Sequence, residues 1–440
     1  MEDAYSIIGG NKLIGKVSLS GAKNIALKVL IAALLFDSKV VLKNIPQIAD
    51  ITELIHLLRL LEVDISYFEN TVTIDSSSLS PNQVDMLHAS KIRVSFLLFA
   101  PLLYRFGKAS IPNPGGCRLG ARSIDRIIQG LEALGIKITY HSETGYYNAK
   151  MSKKPTGKFS FVKSSHTGTE MMIMMSIFCE GSVVIENSAQ EPEVDDLISF
   201  LNEGGANISR SGKSIVVKGV KKLVQKKPFR ISSDRVEAAT YATLAIASGG
   251  DVTIGQIPDH FIKNFVNTLE SMGAGVERIS SGIWRFFGGM KLIPVNIETA
   301  PFPGFLTDWQ PLLAVIMTQA VGESVIHERI FESRFSYVSE LRRLGAIIEY
   351  VEYQVVNHDS HYDFQYNSTK VYNQTIQITG PQKLHGGVMT VLDLRAGATL
   401  AIAALIAQGT SYVKGVHHIE RGYEDFVKKV CKLGGDIKKI

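Results

Sequence analysis

The chain has 440 residues and a mass of 48.3 kDa, with 45% hydrophobic and 20% charged residues. This length allows two or three domains with real cores, and the composition excludes a disordered chain, a collagen-like fibre and a small disulfide scaffold. The excess of 47 Lys and Arg over 42 Asp and Glu gives a net charge of only +5. That balance suits an anionic small-molecule substrate and does not itself require nucleic acid.

The first 20 residues predict strands and no targeting segment. MEDAYSIIGG has acidic residues where a signal peptide would be basic and then apolar. The strand-like stretches in Ser6–Ser20 are expected to pair with the second domain. The apolar runs Ile25–Phe36 and Val94–Tyr104 are interrupted by polar residues and are shorter than the roughly 18 residues of a membrane span, so we expect none.

A pattern of helix, strand, helix and strand then recurs six times, at intervals of about 70 residues. The first helix of each repeat is apolar nearly all round and should be buried, whereas the second is amphipathic and should cover a sheet. Solenoid repeats usually run only about 20–50 residues, which disfavours that alternative. Five of the six second helices end at a glycine, which a left-handed C-terminus favours, and the first ends at a glutamate. The positions are Glu62, Gly135, Gly205, Gly273, Gly345 and Gly434.

The spacing of the repeats predicts two domains of three repeats each, residues 22–230, and residues 1–21 plus 231–440. The boundary near Pro228–Ser233 follows the lysine-rich stretch VKGVKKLVQKKPFR, which we interpret as a solvated edge and linker. The interval from Gly345 to Gly434 is 89 residues, against 68–73 for the others. Its extra length lies in Tyr350–Thr375, where polar residues alternate with Tyr and Val, and predicts a surface hairpin.

Polar residues gather where the apolar helices begin. Asp and Ser there are explained as helix caps. Lys23, Arg93 and Arg395 are not, because a cation opposes the helix dipole at an N-terminus. Cations at positive helix ends attract anions strongly, so we expect a cationic cleft between the domains and a substrate with phosphate or carboxylate groups.

The cysteines differ in their surroundings. Cys117 lies in the glycine-rich segment Pro112–Asp125 between Arg118 and Arg122, a setting that favours a reactive thiolate. Cys179 and Cys431 lie in helical patterns and are expected to be buried and protected. The three cysteines form no CxxC pair, which indicates a reducing compartment such as the cytoplasm. No His, Cys and carboxylate set has the spacing of a metal site.

The motifs SGAKN, PGGCRLGAR, TDWQ, DLRAG and HIERGYE occur in this order. With them the chain resembles the enolpyruvyl transferase family from the first repeat to the C-terminus, apart from Tyr350–Thr375. The resemblance implies an α/β fold, a two-domain inside-out α/β barrel built of six helix–strand–helix–strand repeats, three per domain. It also implies that the N-terminal strand joins the second domain.

The closest resemblance within the family is to members that act on UDP-N-acetylglucosamine. They transfer the enolpyruvyl group of phosphoenolpyruvate to the sugar 3-hydroxyl and release phosphate, through a tetrahedral intermediate. This is the first committed step of peptidoglycan synthesis, and so serves cell wall biogenesis, cell shape, the cell cycle and cell division. The resemblance implies no metal and no organic cofactor. Several cations would suit the phosphate and carboxylate of phosphoenolpyruvate.

Residue roles are also implied by the resemblance. Lys23 would contact phosphoenolpyruvate, Cys117 would be a general acid or a covalent phospholactoyl carrier, and Asp308 would contact the sugar hydroxyl and act as the base. The remaining implied contacts are Asn24 and Ile330 to the nucleotide sugar, Arg122 to both substrates, and Arg93, Arg395 and Arg421 to phosphate and carboxylate.

Departures from the family pattern gather on the nucleotide side. SSHTGTE stands where a Lys-Val-Ser-Val-Gly type sequence is usual, with only Gly168 matching, and Arg126 replaces an apolar residue that packs on uracil. Ser123, Ile127 and Leu97 also differ from common family residues. Enolpyruvyl transfer to a different nucleotide sugar or to shikimate 3-phosphate therefore stays open.

Two other classes of protein remain as alternatives. A non-catalytic nucleotide-sugar-binding paralogue would be expected to lose the lysine or the base, but Lys23, Cys117, Asp308 and Arg421 are all present. A nucleic-acid binder would be expected to interleave basic and aromatic residues, which the chain does not do. We therefore expect no nucleic-acid partner and no membrane partner.

Overall fold

The computed structural model describes residues 3–115 and 124–440. These residues form two compact units. The N-terminal unit comprises residues 21–115 and 124–232, and the C-terminal unit comprises residues 3–20 and 233–440. The chain leaves one unit for the other after Ser20 and again after Ser232, where the sequence predicts boundaries after residues 21 and 230.

The first strands of the chain belong to the C-terminal unit. They are β1 (Ala4–Ile8) and β2 (Ile14–Ser18). Both segments alternate in the way that a strand with one covered face requires, and each finds its partners in the C-terminal half of the sequence.

The N-terminal unit contains three repeats. Its elements are α1 (Lys23–Ala32), β3 (Val40–Lys43), α2 (Ala49–Leu60), β4 (Asp64–Phe68), β5 (Thr71–Asp75), α3 (Met86–Ala89), α4 (Phe99–Phe106), β6 (Lys108–Pro112), α5 (Asp125–Ala133), β7 (Lys137–His141), β8 (Tyr146–Lys150), β9 (Gly157–Ser160), α6 (His166–Ser176), β10 (Ser182–Glu186), α7 (Pro192–Glu203), β11 (Asn207–Ser211), β12 (Ser214–Lys218) and β13 (Phe229–Arg230). Two 3₁₀ helices, Ala33–Leu35 and Arg93–Leu98, follow α1 and precede α4.

The C-terminal unit repeats this plan three times. Its further elements are α8 (Arg235–Ala247), β14 (Asp251–Gly255), α9 (Asp259–Ser271), β15 (Gly275–Ser280), β16 (Ile283–Phe287), β17 (Asn296–Glu298), α10 (Gln310–Met317), β18 (Gly322–His327), α11 (Val338–Arg343), β19 (Ile347–Tyr350), α12 (His358–His361), β20 (Thr375–Gly380), β21 (Val388–Thr390), α13 (Leu394–Ile406), β22 (Thr410–Lys414), α14 (His417–Glu420), α15 (Phe426–Lys432) and β23 (Asp436–Lys439).

Each repeat has its own small sheet. The strand orders are β13-β3-β5-β4, β6-β8-β7 and β11-β12-β10-β9 in the N-terminal unit, and β15-β16-β14-β2, β17-β18-β20-β19 and β21-β22-β1-β23 in the C-terminal unit. The four-stranded sheets share one pattern, in which the strand after the buried helix has one parallel and one antiparallel neighbour. In the last sheet β1 takes the place of the hairpin strand, so the start of the chain completes the final repeat.

The apolar helices form the interior of each unit, as predicted. All of α10 is buried, and α1 and α8 each have only one residue that is not. In the C-terminal unit α8, α10 and α13 pack on one another. The second helices are amphipathic, since α9 buries Phe261, Ile262, Phe265, Val266 and Leu269 along one face. Burying three helices against each other leaves the sheets to cover the outside.

The repeats contain strands that the sequence patterns did not indicate, among them the short strands β9, β13, β17 and β21. A hairpin strand, such as β5, follows the predicted last strand of each of the first five repeats. In the first repeat the hairpin turns at Glu69 and Asn70, both with positive φ, a backbone that suits two-residue hairpins. The exposed face of this strand carries polar residues, which is why a search for apolar runs missed it.

The prediction of a hairpin in Tyr350–Thr375 is wrong. The residues between β19 and β20 contain the short helix α12 and no strand. Aromatic side chains pack together there instead, with Tyr362 against Phe364 at 4.9 Å and Phe364 against Tyr372 at 5.3 Å between ring centroids. Alternating Tyr and Val residues thus build a local cluster rather than a two-stranded ribbon. Within the described part of the chain, no helix combines the length and apolarity needed to cross a bilayer.

The six helix ends identified by the repeat all have positive φ, including Glu62 at 64° where the others carry glycine. A residue with a side chain is disfavoured in this region by about 1–2 kcal/mol. The Glu62 side chain is exposed, so it gains little packing in return. The glycines at these ends are therefore explained by backbone conformation.

We expect Glu62→Gly to stabilise the protein by up to about 1 kcal/mol, because relief of the left-handed strain exceeds the added flexibility of the unfolded chain. The measurement is the thermal unfolding midpoint. Gly135→Ala is the matched control, since φ is +85° and a Cβ there would meet no atom within 4 Å. That variant should lose stability, and a shift of both midpoints in the same direction would contradict the backbone explanation.

Candidate active site

Lys23 lies at the start of a buried helix, as predicted, and is neutralised from the next helix. It is the first residue of α1, whose first turn contains no acidic residue. Its Nζ lies 2.6 Å from Oδ2 of Asp50, near the start of α2, and both side chains are about nine-tenths buried. Asn24, the neighbouring predicted sugar contact, is half-buried. The carboxylate of the second helix therefore balances the charge of the buried Lys23 ammonium.

Arg93 begins a helix, but a 3₁₀ helix rather than an α-helix. The Arg93–Leu98 segment continues directly into α4, and Arg93 itself is half-buried. Cys117 and Arg122 fall in 116–123, outside the described residues. Their roles as thiol and substrate arginine stay predictions.

Two departures from the family pattern meet in the N-terminal unit. Arg126, in α5, donates from Nη1 to the carbonyl oxygen of Ser164 at 3.1 Å. Ser164 precedes α6, where Ser165 caps the helix by accepting from the backbone N–H of Gly168 at 3.2 Å. The residues that differ from the family in two separate motifs are therefore joined to each other.

A buried charge cluster lies along the same helix. Oε1 of Glu170 is 3.1 Å from both Lys28 Nζ and His166 Nε2. These contacts are ion pairs without hydrogen-bond geometry. Burial alone would lower the pKa of His166, but Glu170 more than compensates and raises it. Burial likewise would raise the pKa of Glu170, whereas Lys28 and then His166 lower it.

In the C-terminal unit Asp308 lies between two buried arginines. It stands two residues before α10, which begins at Gln310, so the prediction that Asp308 begins the helix is off by two residues. Its Oδ1 accepts from Arg334 Nη2 at 2.7 Å, and its Oδ2 is 3.6 Å from Arg395 Nη2. Asp308 is half-buried, whereas Arg334 is 2% and Arg395 5% exposed. The carboxylate is thus held by cations while part of it stays accessible.

Arg395 remains charged despite its burial. Asp393 caps α13 by accepting from the backbone N–H groups of Arg395 and Ala396 at 3.0 and 3.1 Å. Burial alone would lower the pKa of the Arg395 guanidinium, but Asp308, followed by Tyr423, raises it above its ordinary value. The guanidinium also lies 5.7 Å from the centre of the Tyr423 ring.

Arg421 follows the short helix α14 and is half-buried. Burial lowers the pKa of the nearby His418, and the positive charges of His417 and Arg421 lower it further. Because Tyr423 is only two residues beyond Arg421 and contacts Arg395, the DLRAG and HIERGYE motifs meet in this unit.

Ile330 lies in a tight turn built on a buried carboxylate. Oε1 of Glu328 accepts from the backbone N–H groups of Ile330 and Phe331 at 2.8 and 3.0 Å, and Oε2 accepts from Thr307 Oγ1 at 2.9 Å. Glu328 is fully buried, and burial raises its pKa. Since Thr307 precedes Asp308, the turn and the carboxylate are fixed together.

Asp50, Arg334 and Glu328 are not indicated by the sequence patterns. Those patterns concern charges at the starts of apolar helices, whereas Arg334 and Glu328 lie in the loop HERIFESRF. A signal was available, because a loop rich in paired charges and flanked by apolar elements indicates buried ion pairs. Among the described residues, no group of three or more His, Cys, Asp and Glu side chains is arranged to hold a metal ion.

The cysteine predictions had mixed outcomes. Cys179 is buried, 6% exposed, as predicted, whereas Cys431 is exposed and the prediction that it is protected is wrong. Cys431 lies near the end of α15, whose buried residues are Phe426 and Val430, and its Sγ is 3.3 Å from the carbonyl oxygen of Ile437.

Similar proteins are known. The sequence model of the family described as EPSP synthase (3-phosphoshikimate 1-carboxyvinyltransferase) matches residues 7–430. A protein named UDP-N-acetylglucosamine 1-carboxyvinyltransferase from Desulforapulum autotrophicum is 37% identical over 439 residues, covering 100% of both chains. A protein of the same name from Brucella ovis is 37% identical over 450 residues, covering 100% of this chain and 99% of its own.

Solved structures agree on the fold. The enolpyruvyl transferase NikO from Streptomyces tendae superimposes with a TM-score of 0.86 at 23% identity, covering 100% of this chain and 99% of its own. EPSP synthase from Acinetobacter baumannii gives a TM-score of 0.73 at 18% identity, covering 100% of both chains. The fold is therefore the two-domain inside-out α/β fold of these enzymes, as the resemblance implied. The chain belongs to the EPSP synthase (3-phosphoshikimate 1-carboxyvinyltransferase) family, the enolpyruvyl transferases.

We expect a soluble maleimide to label Cys431 in the native protein and to leave Cys179 unlabelled, because burial both shields the Cys179 thiol and raises its pKa. Peptide mass spectrometry after brief labelling makes the comparison. Labelling after denaturation provides the control, since both cysteines should then react. Equal native labelling of the two residues would contradict the burial assigned to Cys179.

Proposed function

We propose that this protein transfers the enolpyruvyl group of phosphoenolpyruvate to the 3-hydroxyl of UDP-N-acetylglucosamine and releases phosphate, as the first committed step of peptidoglycan synthesis. The proposal rests chiefly on one observation. A chain that matches relatives of that name over its whole length holds Asp308 between the buried guanidinium groups of Arg334 and Arg395. A carboxylate fixed in this way suits a base that must meet a hydroxyl beside an anionic substrate.

Substrate binding is assigned to the cations that the resemblance implies. Lys23, Arg93, Arg395 and Arg421 would hold the phosphate and carboxylate of phosphoenolpyruvate, together with Arg122. The pairing of Lys23 with Asp50 and of Arg395 with Asp308 supports this role, because both cations are fixed before substrate binds. Asn24 and Ile330 would contact the nucleotide sugar.

The chemical steps assign these residues the roles that the resemblance implies. Asp308 accepts the proton of the sugar 3-hydroxyl while the hydroxyl oxygen bonds to carbon 2 of phosphoenolpyruvate. Cys117 donates a proton to carbon 3, which completes the tetrahedral intermediate. The Cys117 thiolate left by this step then takes a proton back from carbon 3 as the bond between carbon 2 and the phosphate oxygen breaks, which restores the double bond and releases inorganic phosphate. Cys117 acting as a covalent phospholactoyl carrier is the other possibility. Arginines near the phosphate stabilise the charge that develops on it.

We infer that the two substrates are the chief partners, that no metal or organic cofactor takes part, and that neither nucleic acid nor a membrane is bound. The small net charge of +5 supports a preference for small anions. We place the protein in the cytoplasm, because an exposed free thiol such as Cys431 is best preserved in a reducing compartment.

A phosphate-release assay tests the proposal directly. With phosphoenolpyruvate present, UDP-N-acetylglucosamine should support turnover, whereas UDP-glucose and UDP-N-acetylgalactosamine should support at least about tenfold less, since an unpaired polar group in the site is costly. Shikimate 3-phosphate forms the second arm of the assay, because the matching family model is described by that substrate. Turnover with shikimate 3-phosphate alone would replace the proposal, and phosphate release with no acceptor would refute it.

Replacing Asp308 tests the base. Asp308→Ala should lower kcat by about 10²–10⁴, the usual contribution of general acid–base catalysis, and should weaken sugar-nucleotide binding less. Asp308→Asn should be similarly slow, because the amide keeps an acceptor for Arg334 but cannot take the proton. Asp436→Ala, at an exposed aspartate of the same unit, is the control and should be near normal. An active Asp308→Asn variant would assign the residue to positioning only.

A further inference from the structure

The long segment that distinguishes the fifth repeat, residues 351–374, has no role in the proposed chemistry. We call it the fifth-repeat loop. It leaves β19 after Tyr350 and returns at β20, where Thr375 pairs across the sheet with His327. His327 is the last residue of β18, so the loop returns beside the point where the chain enters the turn Glu328–Phe331. That turn contains Ile330, the proposed sugar contact.

The end of the fifth-repeat loop is bonded to the turn through Gln374. The backbone N–H of Glu328 donates to the Gln374 carbonyl oxygen at 2.7 Å. The Gln374 side-chain amide donates to the carbonyl oxygens of Glu328 and Phe331 at 2.7 and 3.0 Å. Gln374 is 4% exposed, so these bonds are sheltered from water and hold the two ends of the turn together.

The middle of the loop is bonded to the turn through Arg329. Its Nε donates to the carbonyl oxygen of His361 at 3.0 Å, and its own carbonyl oxygen accepts from the backbone N–H of Asp363 at 2.8 Å. Its Nη1 also donates to Glu298 Oε2 at 3.2 Å, and Tyr353 of the loop contacts the other oxygen of Glu298. Arg329 is therefore shared between the turn, β17 and the fifth-repeat loop.

Aromatic packing fixes the loop on the sheet. The Tyr353 ring stacks on the buried His327 ring at 3.9 Å between centroids, and His327 Nε2 lies 2.9 Å from His361 Nε2. Burial lowers the pKa of His327 to about 4, and the proximity of His361 acts in the same direction. Near neutral pH the pair is uncharged and the two rings can share one hydrogen.

These contacts have a common consequence. We propose that the fifth-repeat loop braces the Glu328–Phe331 turn for nucleotide-sugar binding, with Arg329 and Gln374 as positioning residues. The proposal rests on the proposed function, because it takes Ile330 as a sugar contact. Glu328 extends the bracing to Thr307, next to Asp308. A turn fixed before ligand arrives loses less freedom on binding, which favours affinity.

The first test uses the ligand-free protein and does not depend on activity. In Arg329→Gln, amide hydrogen exchange of a peptide covering residues 328–331 should be about tenfold faster, as expected for the loss of charge-assisted hydrogen bonds. Val371→Ser, at a 94% exposed position of the same loop, is the matched control and should leave exchange unchanged. Unchanged exchange in Arg329→Gln would overturn the bracing.

The second test separates positioning from general stability. In Arg329→Gln the KM for UDP-N-acetylglucosamine should rise about tenfold, while the KM for phosphoenolpyruvate and kcat change by less than about threefold. Arg329→Lys should recover part of the loss, because a lysine can reach one of the two partners but cannot fork between them. Faster exchange with an unchanged sugar KM would overturn the link to sugar binding.

The two tests also separate this inference from the proposed function. If the unaltered protein releases no phosphate with any UDP-sugar, the proposed function and the sugar-binding part of the inference both fail, while exchange still decides whether the loop braces the turn. If Arg329→Gln does not fold, Tyr353→Phe is measured instead. It removes only the hydroxyl that contacts Glu298, so a smaller change in both readouts is expected, and no change would overturn the proposal.

Discussion

A charged side chain at the start of a fully buried helix must find a partner inside the protein, and the candidate site depends on this constraint. Burying a charge without a partner costs several kcal/mol, so each such residue requires a counter-charge or a dense set of hydrogen bonds. Lys23 has Asp50 and Arg395 has Asp308. An interior made of apolar helices offers few polar groups. The buried charges of the candidate site lie at the starts of those helices. The cations are held in place by the same pairs that make their burial tolerable.

Pairing also fixes the positions of these residues. Asp308 is more accessible than the two arginines beside it, so part of its carboxylate stays exposed while the guanidinium groups keep their positions. Sites that are held rigid before a ligand arrives lose less freedom on binding. The pairs that make burial tolerable therefore also suit the ligand-binding role proposed for these residues.

The repeat made much of the fold predictable. Apolar helices, amphipathic helices and the left-handed helix ends each have a local physical cause, and Glu62 adopts the same positive φ as its glycine equivalents. The hairpin strand β5 was missed because its outer face is polar, and Tyr350–Thr375 was misjudged because its aromatic residues pack on one another rather than along a strand. In the site, residues at helix starts were found, but Arg334 and Glu328 were not. Their importance comes from contacts with Asp308 and Thr307, which lie more than 20 residues earlier in the chain, and such contacts leave no periodic signal.

The departures from the family pattern are not scattered along the chain. They fall in two places, one in each unit, where neighbouring residues bond to one another. In the N-terminal unit Arg126 bonds to Ser164, and the helix that follows carries the His166, Glu170 and Lys28 cluster. In the C-terminal unit Arg329 ties the Ile330 turn to the fifth-repeat loop. In each of these two sets, the residues bond to one another and so preserve the local fold. Neither set replaces Asp308 or Arg395. Within each unit, therefore, these residues are held by local hydrogen bonds.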